Sequence, residues 1–147
     1  MKRMPVFMFV VVLCLCFFSG MGKVALAYTE VENHPIDVKL QRMLEEDYST
    51  SGTWSAYEYA YKEWDKLLNE NYQALMKRLS REEQDKLRAS QRAWIKYHDL
   101  EFDFNGTYWS GFAGTMYTTL PGVYKYMIVR ERALRLGYYL EDLRDRE

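Results

Sequence analysis

The chain has 147 residues, enough for about one domain, and its 20 basic and 21 acidic residues give a formal charge of −1. Because there is no basic excess to displace counterions from phosphates, we expect no nucleic-acid partner.

The first 27 residues have the pattern of a secretory signal peptide. A basic start precedes an unbroken apolar run from Val6 to Phe18, and Ala25 and Ala27 stand at −3 and −1 of a cleavage site. The run of about 13 residues is short for a membrane span. We therefore expect cleavage after Ala27, export to the periplasm or the exterior, and no membrane span afterwards. An uncleaved anchor is the alternative.

The mature chain, residues 28–147, is predicted to be a single domain without cysteine. Cys14 and Cys16 lie in the apolar run and follow leucines rather than the small residue that lipid attachment requires, so a lipoprotein is not expected. Such small exported domains often carry disulfides, so stability here must come from packing. The mature chain keeps 17 basic and 21 acidic residues, a formal charge of −4, which suits a cationic protein partner.

Helical spacing predicts two helices in the first half of the mature chain. Pro35 can open the first one after an extended lead-in, and "STSGT" at Ser49–Thr53 ends it and offers caps for the next. The second helix is expected from about Trp54 to Leu79. Its buried stripe, at intervals of three or four residues, would consist of Tyr57, Tyr61, Trp64, Leu68, Tyr72, Leu75 and Leu79.

A third helix is expected to begin in the sequence "SREE", where Ser80 and Glu83 fit a capping box. It would run to about Phe104 along Leu87, Trp94, Tyr97 and Phe102. Because its link to the second helix is so short, the two should form an antiparallel hairpin or bend sharply at Ser80. A nearly continuous helix is the alternative.

Residues 105–122 contain four glycines and a proline among aromatic residues, which predicts a loop of about 18 residues, longer than most helical connections. A last helix, at about 123–143, would pack through Met127, Leu134 and Tyr138. The sequence therefore predicts an all-α fold, a small bundle of about four helices with a long helical hairpin and an extended, aromatic and glycine-rich loop before the last helix.

The mature chain offers no reactive constellation. Of its two histidines, His34 lies in the lead-in, and His98 has too few neighbouring ligands for a zinc site. No phosphate-binding loop, nucleophile elbow or HExxH motif is present. We therefore expect no catalysis, no metal and no cofactor.

Polar residues fall on the face of the third helix that its aromatic residues predict to be buried. An unpaired buried polar group costs about 1–3 kcal/mol, so these side chains need partners. We expect a polar seam that fixes the register of the helices; the alternative is that it lines a binding cleft. The candidates for cross-helix bonds are Asp65, Asn69, Gln91, Arg92, Asp99 and Arg130.

Two motifs occupy the centre of the chain. The first has the form W-D-x-x-L-N-x-x-Y-x-x-L from Trp64 to Leu75, and the second L-x-x-x-Q-R-x-W from Leu87 to Trp94, with Asp99 shortly after. With "STSGT" before them and "IVRERALRL" after, they resemble the LprI-type lysozyme-inhibitor family over most of the mature chain. The cysteine pairs of many relatives are absent, and His98 stands where Arg is usual. The resemblance implies an exported, mostly helical domain.

Two functions are compatible with these features. The first is a binding protein that inhibits a lysozyme or a related cell-wall hydrolase. Its contacts would lie in the predicted loop, whose Tyr, Trp, Ser, Gly and Asn content is typical of good paratopes. The candidate residues are Tyr108, Trp109, Phe112 and Tyr117, unless these aromatic side chains pin the loop to the core. The second is a non-catalytic envelope accessory or structural domain that binds another protein or its own copy, which an exposed helical face would favour.

Overall fold

The computed structural model describes residues 34–144 and Arg146, so the predicted signal peptide and the lead-in up to residue 33 lie outside the described residues. The described part consists of helices and contains no strand, which confirms the all-α prediction. Its four helices are α1 (Pro35–Glu46), α2 (Thr50–Arg78), α3 (Arg81–Ser110) and α4 (Thr115–Arg144).

The chain divides into two compact units, one ending at Val38 and one beginning at Lys39. The described part of the first unit is the start of α1, where the backbone N–H of Ile36 donates to Nδ1 of His34 at 3.3 Å. Pro35 opens the helix, since its missing N–H would have no partner in the first turn. The second unit contains the rest of α1, where Leu40 is buried, and the three long helices.

The predicted caps are confirmed. Ser49 caps α2 by accepting from the backbone N–H of Gly52 at 3.0 Å. Ser80 and Glu83 form the capping box of α3: the Ser80 backbone N–H donates to the Glu83 carboxylate at 2.9 Å, and Ser80 Oγ accepts from the Glu83 N–H at 3.4 Å. These bonds lower the pKa of Glu83. Leu79 and Ser80 are both extended, so α2 and α3 are separate helices rather than one.

The predicted 18-residue loop before the last helix is wrong. α3 continues to Ser110 and α4 begins at Thr115, so the connection is the turn Gly111–Gly114. Gly114 has φ +119°, a conformation that side-chain-bearing residues rarely adopt. Pro121, which was expected to mark the loop, lies inside α4.

Local bonds and ring packing explain why the glycine- and threonine-rich stretch is helical. Ser110 Oγ donates to the carbonyl of Thr107 at 2.7 Å, and the hydroxyls of Thr118 and Thr119 donate to carbonyls three residues back. The aromatic side chains of the two helix ends pack on one another across the turn. These tertiary contacts outweigh the weak helix propensities of glycine and threonine and the missing N–H of the proline.

The three long helices run up, down and up. Contacts between α2 and α4 advance together along both helices, from Tyr57–Tyr126 to the bond between Asn71 and the carbonyl of Ala133, so these helices are parallel. Contacts between α3 and α4 run in the opposite direction. Gln91, early in α3, bonds to Arg132, late in α4, whereas Trp109, at the end of α3, contacts Tyr124, early in α4, so these helices are antiparallel. The closest helix pair is α2–α4, followed by α3–α4.

The buried residues of α2 and α4 include both large and small side chains. The predicted stripe of α2 is confirmed for Trp64, Leu68 and Leu75, but its tyrosines lie at the edge, and Ala56 and Ala60 are fully buried instead. On α4, the predicted face is displaced. Met127 and Tyr138 are exposed, and the buried side chains are Val129, Ala133, Leu136 and Leu143. Alanines at the contact allow the two backbones to approach closely, which large rings would prevent.

α3 is the least buried of the long helices. Its one buried residue is Asn105, whose side chain donates to the carbonyl of Glu101 at 2.8 Å. Leu87, Trp94 and Phe102 are half-buried as partners of the other helices, whereas Tyr97, expected on the same face, is exposed. The helix therefore leaves much of its apolar surface in water.

Candidate functional site

The turn between α3 and α4 brings together five aromatic side chains, which we name the aromatic tip: Tyr108, Trp109, Phe112, Tyr117 and Tyr124. The last turn of α3 carries the first two, the connecting turn carries Phe112, and the first turns of α4 carry the last two. The four residues singled out from the sequence all lie here. Tyr124 was missed because it was assigned to a separate helix, although its position seven residues after Tyr117 places both on one helical face.

Trp109 is the centre of the tip. Its ring stacks on Tyr117 and Tyr124 at centroid distances of 6.0 and 5.8 Å, and it contacts Tyr108 at 4.9 Å and Phe112 at 5.2 Å. The indole Nε1 is buried and has no hydrogen-bond partner among the described residues. Trp109 therefore holds the two helix ends together.

Three side chains of the tip are exposed: Tyr124 is 39% exposed, and Tyr108 and Phe112 are more exposed than Tyr124. Tyr108 is 48% exposed and Phe112 is 42% exposed, while Trp109 and Tyr117 are half-buried beneath them. The rings of Tyr108 and Phe112 lie 5.2 Å apart. Because they rest on other rings, they offer contact area that is already ordered.

The tip carries no charge. The sequence from Phe104 to Tyr124 contains no acidic, basic or histidine residue; Asp103 precedes it and Lys125 follows it. Among the described residues, no group of three or more His, Cys, Asp or Glu side chains could hold a metal ion. The chemistry that the tip offers is ring stacking, apolar contact and hydroxyl hydrogen bonding.

Gln91, one of the candidates for the polar seam, bonds to a residue of another helix. Its Oε1 accepts from Nε and Nη2 of Arg132 at 3.0 and 2.9 Å, and Nη2 also approaches Oγ of Ser90 at 3.3 Å. The guanidinium of Arg132 lies 5.9 Å from the ring of Trp94. Burial, and to a lesser extent Arg135, lowers the pKa of Arg132, which stays protonated at neutral pH.

The other five candidates for the polar seam do not take part in this bond between Gln91 and Arg132. Asn69 donates to the carbonyl and the carboxylate of Asp65 within α2, at 2.8 and 3.2 Å. Asp99 lies 2.8 Å from Nδ1 of the neighbouring His98. Arg130 lies over the ring of Trp64 at 5.4 Å. The sixth candidate, Arg92, is exposed.

His98 lies between two rings on the inner side of α3. Its imidazole is 5.0 Å from Trp94 and 3.8 Å from Phe102, and its Nδ1 meets Asp99 at the edge. The imidazole thus packs as an aromatic ring with one polar edge.

Sequence reasoning missed a half-buried side-chain bond between α2 and α4, the closest helix pair. Nδ2 of Asn71 on α2 donates to the carbonyl of Ala133 on α4 at 3.0 Å. Asn71 lies two residues after Asn69, which had been singled out for a cross-helix bond. In the sequence, Asn71 is distinguished only as a polar residue directly before Tyr72, which belongs to the predicted buried stripe of α2.

A cavity lies at the opposite end of the long helices. Its volume is about 400 Å³, and its apolar floor includes Leu75, Leu87 and Leu143. An ion pair between Glu83 and Arg146, at 3.0 Å, is part of its lining.

No helix within residues 34–144 has the length and apolar character needed to cross a membrane.

Comparisons with known proteins agree with the helical core. The chain is similar to an uncharacterised protein from Burkholderia thailandensis, known from a crystal structure, with a TM-score of 0.65 and 28% sequence identity. The match covers 70% of this chain and 51% of the other, so this chain spans about half the length of that protein. Among curated proteins, none matches significantly. The family model described as lysozyme inhibitor LprI matches residues 45–136, which is more than half of the sequence. The chain therefore belongs to the LprI lysozyme inhibitor family.

Proposed function

We propose that this chain is an exported, non-catalytic binding protein that inhibits a lysozyme or a related cell-wall hydrolase through its aromatic tip. The observation that carries the proposal is the exposure of Tyr108 and Phe112 on a platform of packed rings at the end of two long helices. Family membership supports a lysozyme as the target class.

The chemistry of the tip suits a cleft that binds glycans. Such clefts accept flat, amphipathic groups, and tyrosine combines a large apolar ring with a hydroxyl that can replace a sugar hydroxyl. Aromatic anchors in a desolvated pocket supply most of the binding energy in interfaces of this kind. Since the tip carries no charged side chain, no charge needs to be buried when it enters a cleft.

Charge outside the tip would assist the encounter. With the proposed cleavage after Ala27, the mature chain has a formal charge of −4, and a cationic hydrolase would be attracted to it over several ångströms. This attraction should raise the association rate more than the lifetime of the complex, and it should weaken with added salt.

The test is binding to a cationic c-type lysozyme, measured by titration calorimetry near physiological salt. The chain is expressed from Met1 and purified from the exported fraction. We expect a Kd in the micromolar range or tighter, and at least a tenfold loss of affinity in Tyr108→Ala/Phe112→Ala, since tenfold corresponds to about 1.4 kcal/mol. These positions are preferred to Trp109, whose truncation would remove the centre of the tip.

The matched control is Tyr138→Ala, which removes an exposed tyrosine of α4 far from the tip. It should bind like the unaltered chain. Equal losses in both variants would overturn the site. Absence of binding by a chain that is folded by circular dichroism would overturn lysozyme as the target and favour the accessory role, which the exposed apolar residues of α3 also support.

A further inference from the structure

A second surface lies on α3, outside the helical core and next to the tip, where the ring of Phe104 stacks on Tyr108 at 5.6 Å. Ala93, Tyr97, Leu100 and Phe104 follow one another along the helix, and we name this row the α3 seam. Tyr97, Leu100 and Phe104 are 52, 59 and 58% exposed. Three large apolar side chains in a row at this exposure are unusual for a surface that stays in water.

The spacing of the α3 seam is that of a coiled coil. Its residues are separated by four, three and four positions, as apolar residues are where one helix packs against another at a small angle. At about 100° per residue, the seam lies roughly a third of a turn away from Trp94, His98 and Phe102, which pack inward. The seam is thus a helix-packing face that no described helix covers.

The charges beside the seam fit a second copy of this chain. Lys96 lies four residues before Leu100, Asp103 lies three residues after it, and both are exposed on the same side of the seam. Neither forms an ion pair within the part of the chain that the structure describes. An antiparallel copy related by a twofold axis near Leu100 would place Lys96 beside Asp103 of the second copy, and Asp103 beside its Lys96.

We propose that the protein forms a twofold homodimer in which the α3 seams of two copies pack antiparallel. The surface is self-complementary, as a closed dimer requires: it pairs apolar with apolar residues and each cation with an anion. A lipid surface would instead favour a cationic border. The proposal does not depend on the target of the aromatic tip.

The first test is the mass of the protein in solution, measured by sedimentation equilibrium at about 10 to 100 μM on the chain expressed from Met1 and purified after export. We expect twice the mass of one chain. Leu100→Asp should raise the dissociation constant at least a hundredfold and give a monomer. Ile95→Asp, which changes an exposed apolar residue on another side of α3, should remain a dimer. If the unaltered chain is monomeric, the proposal is overturned. Another protein, or the chain's own residues before 34, would then be the candidates that cover the α3 seam.

The second test is charge reversal, which also fixes the direction of pairing. Lys96→Glu alone and Asp103→Lys alone should each weaken the dimer about tenfold, because each places like charges together twice. The double variant Lys96→Glu/Asp103→Lys should recover the original affinity. A parallel pairing would set Lys96 near Glu101 of the second copy, and the double variant would then stay weak. Failure of the double variant to recover overturns the antiparallel dimer.

Discussion

Arg130 and Arg132 are two positions apart on α4 and contact different helices. Arg130 lies over Trp64 of α2, and Arg132 bonds to Gln91 of α3. Residues two positions apart on a helix point in directions that differ by about 200° around its axis. Because α4 packs against both α2 and α3, Arg130 and Arg132 each contact a different helix. The sequence predicted a polar residue at Gln91 on the inner face of α3, and in the structure Gln91 is half-buried and bonds to α4. Which arginine it meets depends on the placement of α4, which no local pattern specifies.

The bond between Gln91 and Arg132 should contribute to stability more than the bonds of Asn69. In Gln91→Ala, a half-buried guanidinium loses its acceptor, and we expect the free energy of unfolding to fall by about 1–3 kcal/mol. Asn69 is exposed and bonds within its own helix, so Asn69→Ala should change stability by less than about 0.5 kcal/mol. Urea denaturation of both variants compares them directly. Equal losses would show that the cross-helix bond has no special role.

The elements differ in how well local sequence predicts them. The starts of α2 and α3 were predictable because caps are local: Ser49, Ser80 and Glu83 act within four residues of themselves. The end of α3 and the start of α4 were not, because glycine, threonine and proline there favour a loop. They are helical since rings from both helices pack on Trp109, a contact between residues that a local pattern treats separately. For the same reason the sequence could select the residues of the tip but not their arrangement.

Two glycine substitutions distinguish the helical structure from the loop that the sequence suggested. Gly106 lies inside α3, and an added Cβ would meet no atom within 4 Å, so Gly106→Ala should stabilise the protein by roughly 0.5–1 kcal/mol. Gly114→Ala should destabilise it by a similar amount or more, because alanine disfavours φ +119°. Thermal unfolding should shift up by a few degrees in the first variant and down in the second. No gain at Gly106 would argue for an irregular chain there.

At the scale of the whole molecule, the helix pairing depends on residue size rather than on hydrophobicity alone. The aromatic stripe of α2 suggested large buried residues only, yet Ala56, Ala60 and Ala133 are as fully buried as Trp64. Alanine is easily overlooked in a periodic pattern dominated by tyrosine. The sequence therefore predicted the helices and the opposite directions of α2 and α3. It did not predict that α4 is the main packing partner of α2. That pairing leaves one side of α3 uncovered.

If both proposals hold, the dimer should bind two hydrolase molecules. Trp109 lies nine residues beyond Leu100, about 14 Å along the helix, so an antiparallel dimer would carry its two tips roughly 27 Å apart at opposite ends of the paired helices. Neither tip would then obstruct the other. With lysozyme in excess, light scattering should give the mass of two chains plus two lysozymes, and Leu100→Asp should give a one-to-one complex with the same affinity per tip. One lysozyme per dimer would contradict the antiparallel arrangement, since it would mean that the two tips share one binding surface.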